Sequence, residues 1–224
     1  MSRILRRQFL KAVPLILPGL LVFKAGDRSI VAAAEVAGWH SLFDGKGLGD
    51  WKLTDYAGKG EVEVKDGQLI LNAGGDLTGV NLEKAPVMMD YEVEFTAMRV
   101  QGDDFFVGFT FAVGAKHVTF IAGGWSGTVT GISNVNGDSA IENETVQFKK
   151  FDNGKWYHVR VKVTPAKIEV WMDKEQVVNL ETEGKELSVR AGEIEISKPF
   201  GFSSWRTKAA LKDIRWRKLA AAAK

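Results

Sequence analysis

Apolar and polar residues alternate with a period of two along most of this chain, and that pattern limits the layers it can build. Tyr91, Val93 and Phe95 fall on one side of a strand, with Glu92, Glu94 and Thr96 on the other. Tyr157, Val159, Val161 and Val163 alternate with Trp156, His158, Arg160 and Lys162. Ile168, Val170 and Met172 alternate with Glu169, Trp171 and Asp173, and Ile194 and Ile196 with Glu193, Glu195 and Ser197. Successive side chains of a strand point to opposite faces, so each segment offers one apolar face to a core. Strands of that kind belong to antiparallel sheets with one side solvated. Turn pairs punctuate them: Asp66-Gly67, Gly74-Gly75, Asn136-Gly137, Asn153-Gly154 and Gly184-Lys185. The spacing predicts about a dozen short strands, no sustained helix, and an all-β jelly-roll sandwich of two antiparallel sheets packed ~10 Å apart.

The first 34 residues read as a leader rather than as part of that sandwich. Arg6-Arg7-Gln8-Phe9-Leu10-Lys11 follows the twin-arginine export pattern, and Ala32-Ala33-Ala34 is a small-residue cleavage site. The apolar stretch from Ala12 to Phe23 is interrupted by Pro14 and Pro18. It falls short of the ~20 residues that span a bilayer. The expected organisation is therefore a signal peptide over 1–34, one sandwich domain over 35–219 and an Ala-rich tail over 220–224. The location is periplasmic or secreted in a bacterium, with no membrane anchor after cleavage. Of 30 Lys and Arg and 28 Asp and Glu, six basic groups and one acidic group lie in the leader, leaving 24 against 27 and a net charge of −3. A domain of that sign lacks the footprint of a phosphate-backbone binder, so nucleic acid is not an expected partner. The chain has no cysteine, which excludes disulfides, thiolate metal sites and a cysteine nucleophile.

Several residues outside the strand pattern are candidates for a site. Gly123-Gly124-Trp125-Ser126-Gly127 bends the backbone around an indole, and a flat indole face stacks on the C–H face of a sugar. A core Trp at a sheet corner is the other reading of Trp125. Asn143 and Glu144 follow a polar loop over residues 133–138 and offer groups for a hydroxyl, a proton or a cation. Asp104 opens an apolar strand, either as a ligand-binding acid or as a plain turn residue. His117 is a lone histidine on an alternating strand, either a base or a structural ring. Trp171 shares a strand face with Glu169 and Asp173. The preceding strand adds Arg160, so the two make a polar and aromatic surface suited to a sugar groove or to packing beneath a loop. Asp90, Glu92 and Glu94 lie on one strand face about 7 Å apart, which suits paired carboxylates or an ordinary solvated face.

The run Ser41-Leu42-Phe43-Asp44-Gly45-Lys46-Gly47-Leu48-Gly49-Asp50-Trp51 resembles the opening of the 3-keto-disaccharide hydrolase family, also called 3-keto-glucoside lyase/hydratase. Trp156-Tyr157-His158-Val159 with Ile168 to Asp173 resembles the central hairpin of laminin-G-like domains. Pro199 to Trp205 with Ala209 to Trp216 resembles the last two strands of concanavalin A-type domains, in which the final strand returns beside the first. The resemblance spans roughly residues 39 to 219. It implies a concanavalin A-like jelly roll that handles sugars by lyase- or hydrolase-like cleavage of 3-keto-glycosides. Such a reaction needs a base, a donor at the ketone oxygen and a sugar platform. The corresponding expectations are Glu144 or His117 as base, Arg160 as oxyanion donor, and Trp125, Asn143, Trp171 and Asp104 as ligand-binding residues. A divalent, calcium-like cation on oxygen ligands is a further electrophile compatible with that chemistry. The sequence departs from the family where an Asn-Ser-Gly step and a Glu-x-Gln pair are usual. It reads Gly102-Asp103-Asp104 and Lys116-His117-Val118-Thr119 there. The alternative is a non-catalytic carbohydrate-binding or laminin-G-like interaction module.

Overall fold

A computed structural model describes residues 38–220. The twin-arginine pattern, the Ala32–Ala34 cleavage site and residues 221–224 of the tail lie outside the described residues. Among the described residues, fifteen strands form two antiparallel sheets. The first sheet contains β1 (His40–Ser41), β3 (Val62–Lys65), β4 (Gln68–Leu71), β6 (Tyr91–Gln101), β11 (Trp156–Val163), β12 (Lys167–Met172), β13 (Glu175–Glu181) and β15 (Lys208–Lys218). Its order is β13-β12-β11-β6-β15-β4-β3, with β1 also on β15. The second contains β2 (Lys52–Leu53), β5 (Leu77–Leu82), β7 (Val107–Val113), β8 (Lys116–Gly123), β9 (Val129–Ser133), β10 (Gln147–Phe148) and β14 (Phe200–Trp205). Its order is β10-β9-β8-β7-β14-β5-β2. Among the described residues no helix is long and apolar enough to cross a membrane.

The alternating segments fold as their pattern requires. Val159, Val161 and Val163 of β11 and Ile168, Val170 and Met172 of β12 are buried, and the two strands pair as a hairpin. The last strand does return to the first: Ser41 pairs with Arg215, and the Leu42 amide donates to the Ile214 carbonyl at 2.8 Å. Trp51 enters the core beside Phe200 and Phe202, and its indole N–H donates to the Leu42 carbonyl at 2.7 Å. The opening motif therefore folds its turn back onto its own strand. Between the sheets, Phe95, Phe109 and Phe202 meet with ring centroids 4.7–5.3 Å apart. Packed aromatics of that kind add to the burial term that stabilises a sandwich.

One segment differs from its sequence pattern. Glu193–Ser197 is a 3-10 helix, not a strand. Ile194 and Ile196 alternate with polar residues over too few positions for period two to decide. The turn packs on β14 and β5, where the Ser197 hydroxyl meets Thr110 Oγ1 at 2.6 Å. That contact lies on the outer side of the second sheet, so this turn covers part of a sheet face.

Candidate functional site

The outer face of the second sheet is built from small and hydroxyl-bearing residues. Ser203 on β14, Thr110 on β7, Thr119 on β8 and Ser133 on β9 share it, opposite the phenylalanines that fill the core. Tyr56 reaches over it, with its hydroxyl 2.7 Å from Ser203 Oγ. Thr110 and Thr119 hydroxyls meet at 2.8 Å. Such residues leave a low floor on which larger side chains make walls. Tyr56, Leu77, Phe105 and Ile121 form a second apolar cluster on this face, separate from the core, with Trp125, Ile194 and Trp205 packed against it.

A cavity of about 440 Å³ opens in that cluster. Thr119, Ile121 and Ser133 make its floor. Leu77, Phe105 and Trp205 make one side and Trp125 another, while Arg190, Glu193 and Ile194 form a rim from the segment that ends in the 3-10 turn. Asp76 and Asp104 also line it. The volume lies within the range of small-ligand sites, and apolar walls with a few polar groups are their usual composition.

Each wall is held in place by a local device. Trp125 and Ser126 both have left-handed backbones, with φ of 48° and 64°, between Gly123 at 80° and Gly127 at 98°. Non-glycine residues there cost roughly 1–2 kcal/mol each. Asp104 offsets part of that: its Oδ2 accepts the Ser126 amide at 3.1 Å while Oδ1 accepts the Phe105 amide at 2.7 Å. Trp205 stands opposite Leu77 in the β14–β5 ladder, and its ring lies 6.4 Å from that of Phe105. Arg206 caps the Trp205 ring at 5.4 Å and pairs with Asp76. Arg190 stands 5.7 Å from the Trp125 ring centroid. Among the described residues, Arg190 and Glu193 have no ion-pair partner and contribute no side-chain hydrogen bond. Burial pushes the Tyr56 phenol up to about 12, against the hydrogen bond with Ser203, so it is a neutral hydroxyl at the edge of the site.

Of the residues expected from sequence, Trp125 and Asp104 line this cavity. His117 lies on the same sheet face as Thr119 but outside the cavity. Its Nε2 is buried without a hydrogen-bond partner, and burial, with Lys198 nearby, holds its imidazole below the usual histidine range. Asn143 is buried and fully engaged. Its amide nitrogen donates to the Ile132, Asp138 and Ser139 carbonyls, and its oxygen accepts from the Thr145 amide and hydroxyl. It ties the 138–145 loop to β9. Glu144 pairs with Lys185 at 2.5 Å. Arg160 and Trp171 are cross-strand partners on the outer face of the first sheet, with the guanidinium 4.0 Å from the indole centroid. The sandwich therefore does not bring Arg160 and Trp125 to one mouth. The acidic strand face is there too: Glu92 is held by Arg217, and Glu94 by Arg215 at 2.7 Å. Among the described residues no group of three or more His, Asp or Glu side chains is placed to hold a metal ion.

Trp205, Arg190, Glu193 and Asp76 were not singled out by sequence. Their only local signals are Trp205-Arg206 at the end of an aromatic strand and Gly74-Gly75-Asp76 before another.

Two solved structures show the same fold. A protein provisionally classed as a glycosyl hydrolase, from Parabacteroides distasonis, superposes with a TM-score of 0.55 at 13% identity, over 82% of this chain and 94% of its own. Domain 4 of the extracellular arabinanase AbnA from Geobacillus stearothermophilus, solved with arabinotriose, gives 0.51 at 15% identity, over 83% of this chain and 93% of its own. No protein of curated function matches the sequence. The amino-acid sequence itself matches the 3-keto-alpha-glucoside-1,2-lyase-like domain over residues 38–217, nearly the whole described sandwich. The chain belongs to that carbohydrate-active family of β-sandwich domains.

Proposed function

We propose that the chain is an exported domain that binds 3-keto-glycosides in the Trp125–Trp205 cavity and cleaves their glycosidic bond. The observation that carries this reading is the cavity itself. Two indoles border it, and Glu193 and Arg190 stand on its rim without ion-pair partners among the described residues. In a 3-keto sugar the C2 proton is acidified by the adjacent ketone. Glu193 takes that proton, and the electron pair moves onto the C3 oxygen, where Arg190 offsets the charge. The enolate then re-forms the ketone, a C1=C2 double bond forms, and the C1–O bond breaks. The departing oxygen takes up a proton. Water adds across the double bond, its hydroxyl to C1 and a proton to C2, and the net reaction is hydrolysis. Asp104 positions the platform rather than reacting, because both its oxygens accept backbone amides.

A non-catalytic sugar-binding module is the second reading. It is favoured by the engagement of Asp76 with Arg206 and of Asp104 with the turn, which leaves one free acid at the cavity. Incubation of the protein with methyl 3-keto-α-glucoside, with and without a chelator, separates the two. The enzyme reading expects release of methanol, reduced ~100-fold or more in Glu193→Gln. Binding without turnover selects the module, and loss of turnover with chelator assigns a cation to the reaction.

A further inference from the structure

Behind the Trp125 turn lies a second hollow, of about 230 Å³, lined by Arg99, Asp103, Lys150 and Asp152 together with Ser126 and Gly127. Residues 125–128 thus form a thin wall with the sugar cavity on one side and a buried cation on the other. Arg99 belongs to the inward-pointing series of β6, in line with Val93, Phe95 and Ala97, and only 7% of it is exposed. A guanidinium at that position, between two sheets, is expensive to keep unless its donors are spoken for. Nε donates to Asn153 Oδ1 at 2.7 Å, and Nη2 donates to the Phe151 carbonyl. Nη1 is buried and has no hydrogen-bond partner among the described residues. It lies directly under the turn: a Cβ built on Gly127 would stand 3.0 Å from it and 2.8 Å from the Asp103 carbonyl.

The planar fork therefore joins the 151–153 loop to the underside of a turn whose two non-glycine residues have left-handed backbones. Asp104 holds the front of that turn through the Ser126 amide, and Arg99 backs it. A strained conformation persists only where its surroundings over-determine it. We propose that Arg99 is a positioning residue for the sugar platform, fixing the Trp125 turn from behind without touching the ligand. The inference rests on the reading of the cavity as the sugar site.

Two measurements test it. Hydrogen exchange by NMR is read first in Arg99→Met. The Ser126 and Thr128 amides exchange at least tenfold faster than in the parent, while amides of the β7–β8 ladder stay within twofold. Unchanged exchange at the turn, or equal acceleration everywhere, overturns the proposal. If Arg99→Met does not fold, Arg99→Lys is read the same way. It keeps the charge, loses the fork, and gives a smaller acceleration confined to the turn. Calorimetric titration with methyl 3-keto-α-glucoside is read second. Arg99→Met weakens binding about tenfold in the parent and less than twofold in a Trp125→Ala background. Equal losses in both backgrounds overturn it. If the parent protein binds no sugar, the functional reading fails, and the exchange data alone decide the role of Arg99.

Discussion

Tyr56 and Tyr91 show what burial does to a single group. The Tyr56 hydroxyl faces Ser203, and Tyr91 donates to the Ala112 carbonyl at 2.6 Å from a fully buried position. Burial raises both phenols, Tyr56 to about 12 and Tyr91 well above its usual 10. The unfolded chain ionises first as pH rises past 10, so it holds fewer protons than the folded one and stability falls. A urea series between pH 9 and 12 should show stability level up to about 10 and declining beyond it, with Tyr56→Phe removing part of the slope. His117 works in the opposite range. Its folded-state imidazole is held below 6.5, chiefly by burial, so the unfolded chain protonates first as pH falls. Its NMR titration should have a midpoint below 6.5, and stability should decline below that pH less steeply in His117→Gln. A midpoint above 6.5 would contradict the burial seen at Nε2.

At the scale of elements, the 138–145 loop depends on one amide. Asn143→Ala removes five hydrogen bonds and leaves buried carbonyls without donors, a loss of roughly 2–4 kcal/mol by denaturant titration. Glu144→Gln, next in sequence, breaks a half-exposed pair with Lys185 and should change stability by less than about 1 kcal/mol. Similar values for the two would contradict the assignment of Asn143 as the loop's anchor. The same contrast explains what sequence could show. Strands such as β11 and β12 were legible because four and three apolar positions at period two leave one solution. Residues 193–197 were not, because two isoleucines fit a strand and a 3-10 turn equally. Trp125 was legible because glycines flank it and imply a bend. Trp205 becomes a neighbour of Trp125 through the β8-β7-β14-β5 order, and Arg190 and Glu193 through a segment that pairs at Leu187 with Val135 and packs its 3-10 turn on β14 and β5, none of which a local pattern encodes. The pleat puts Arg160 and Trp171 on one surface, but it does not tell which sheet carries the cavity.

The molecule as a whole has two unlike outer faces. The first sheet is covered by a charge ladder in which Glu92 and Glu94 lie between Arg215, Arg217 and Arg160, and Arg215 and Arg217 both stack on Trp39. The second carries the small-residue floor and the indole walls. Ligand chemistry fits the second, since Glu92 and Glu94 of the first already have cationic partners. If residues 1–34 are a leader, the exported form is acidic while the precursor has a sequence pI near 8.7. Replacement of Arg6 and Arg7 by Lys should abolish appearance of the shorter form in a periplasmic fraction. Unchanged processing would point to the general secretory route instead. The central claim is that sugars occupy the second sheet's outer face. A crystal structure of the protein soaked with methyl 3-keto-α-glucoside tests it most directly. The account predicts a pyranose ring against Trp125 and Trp205, with Glu193 and Arg190 at its rim. A sugar seated instead on Arg160 and Trp171 would contradict it.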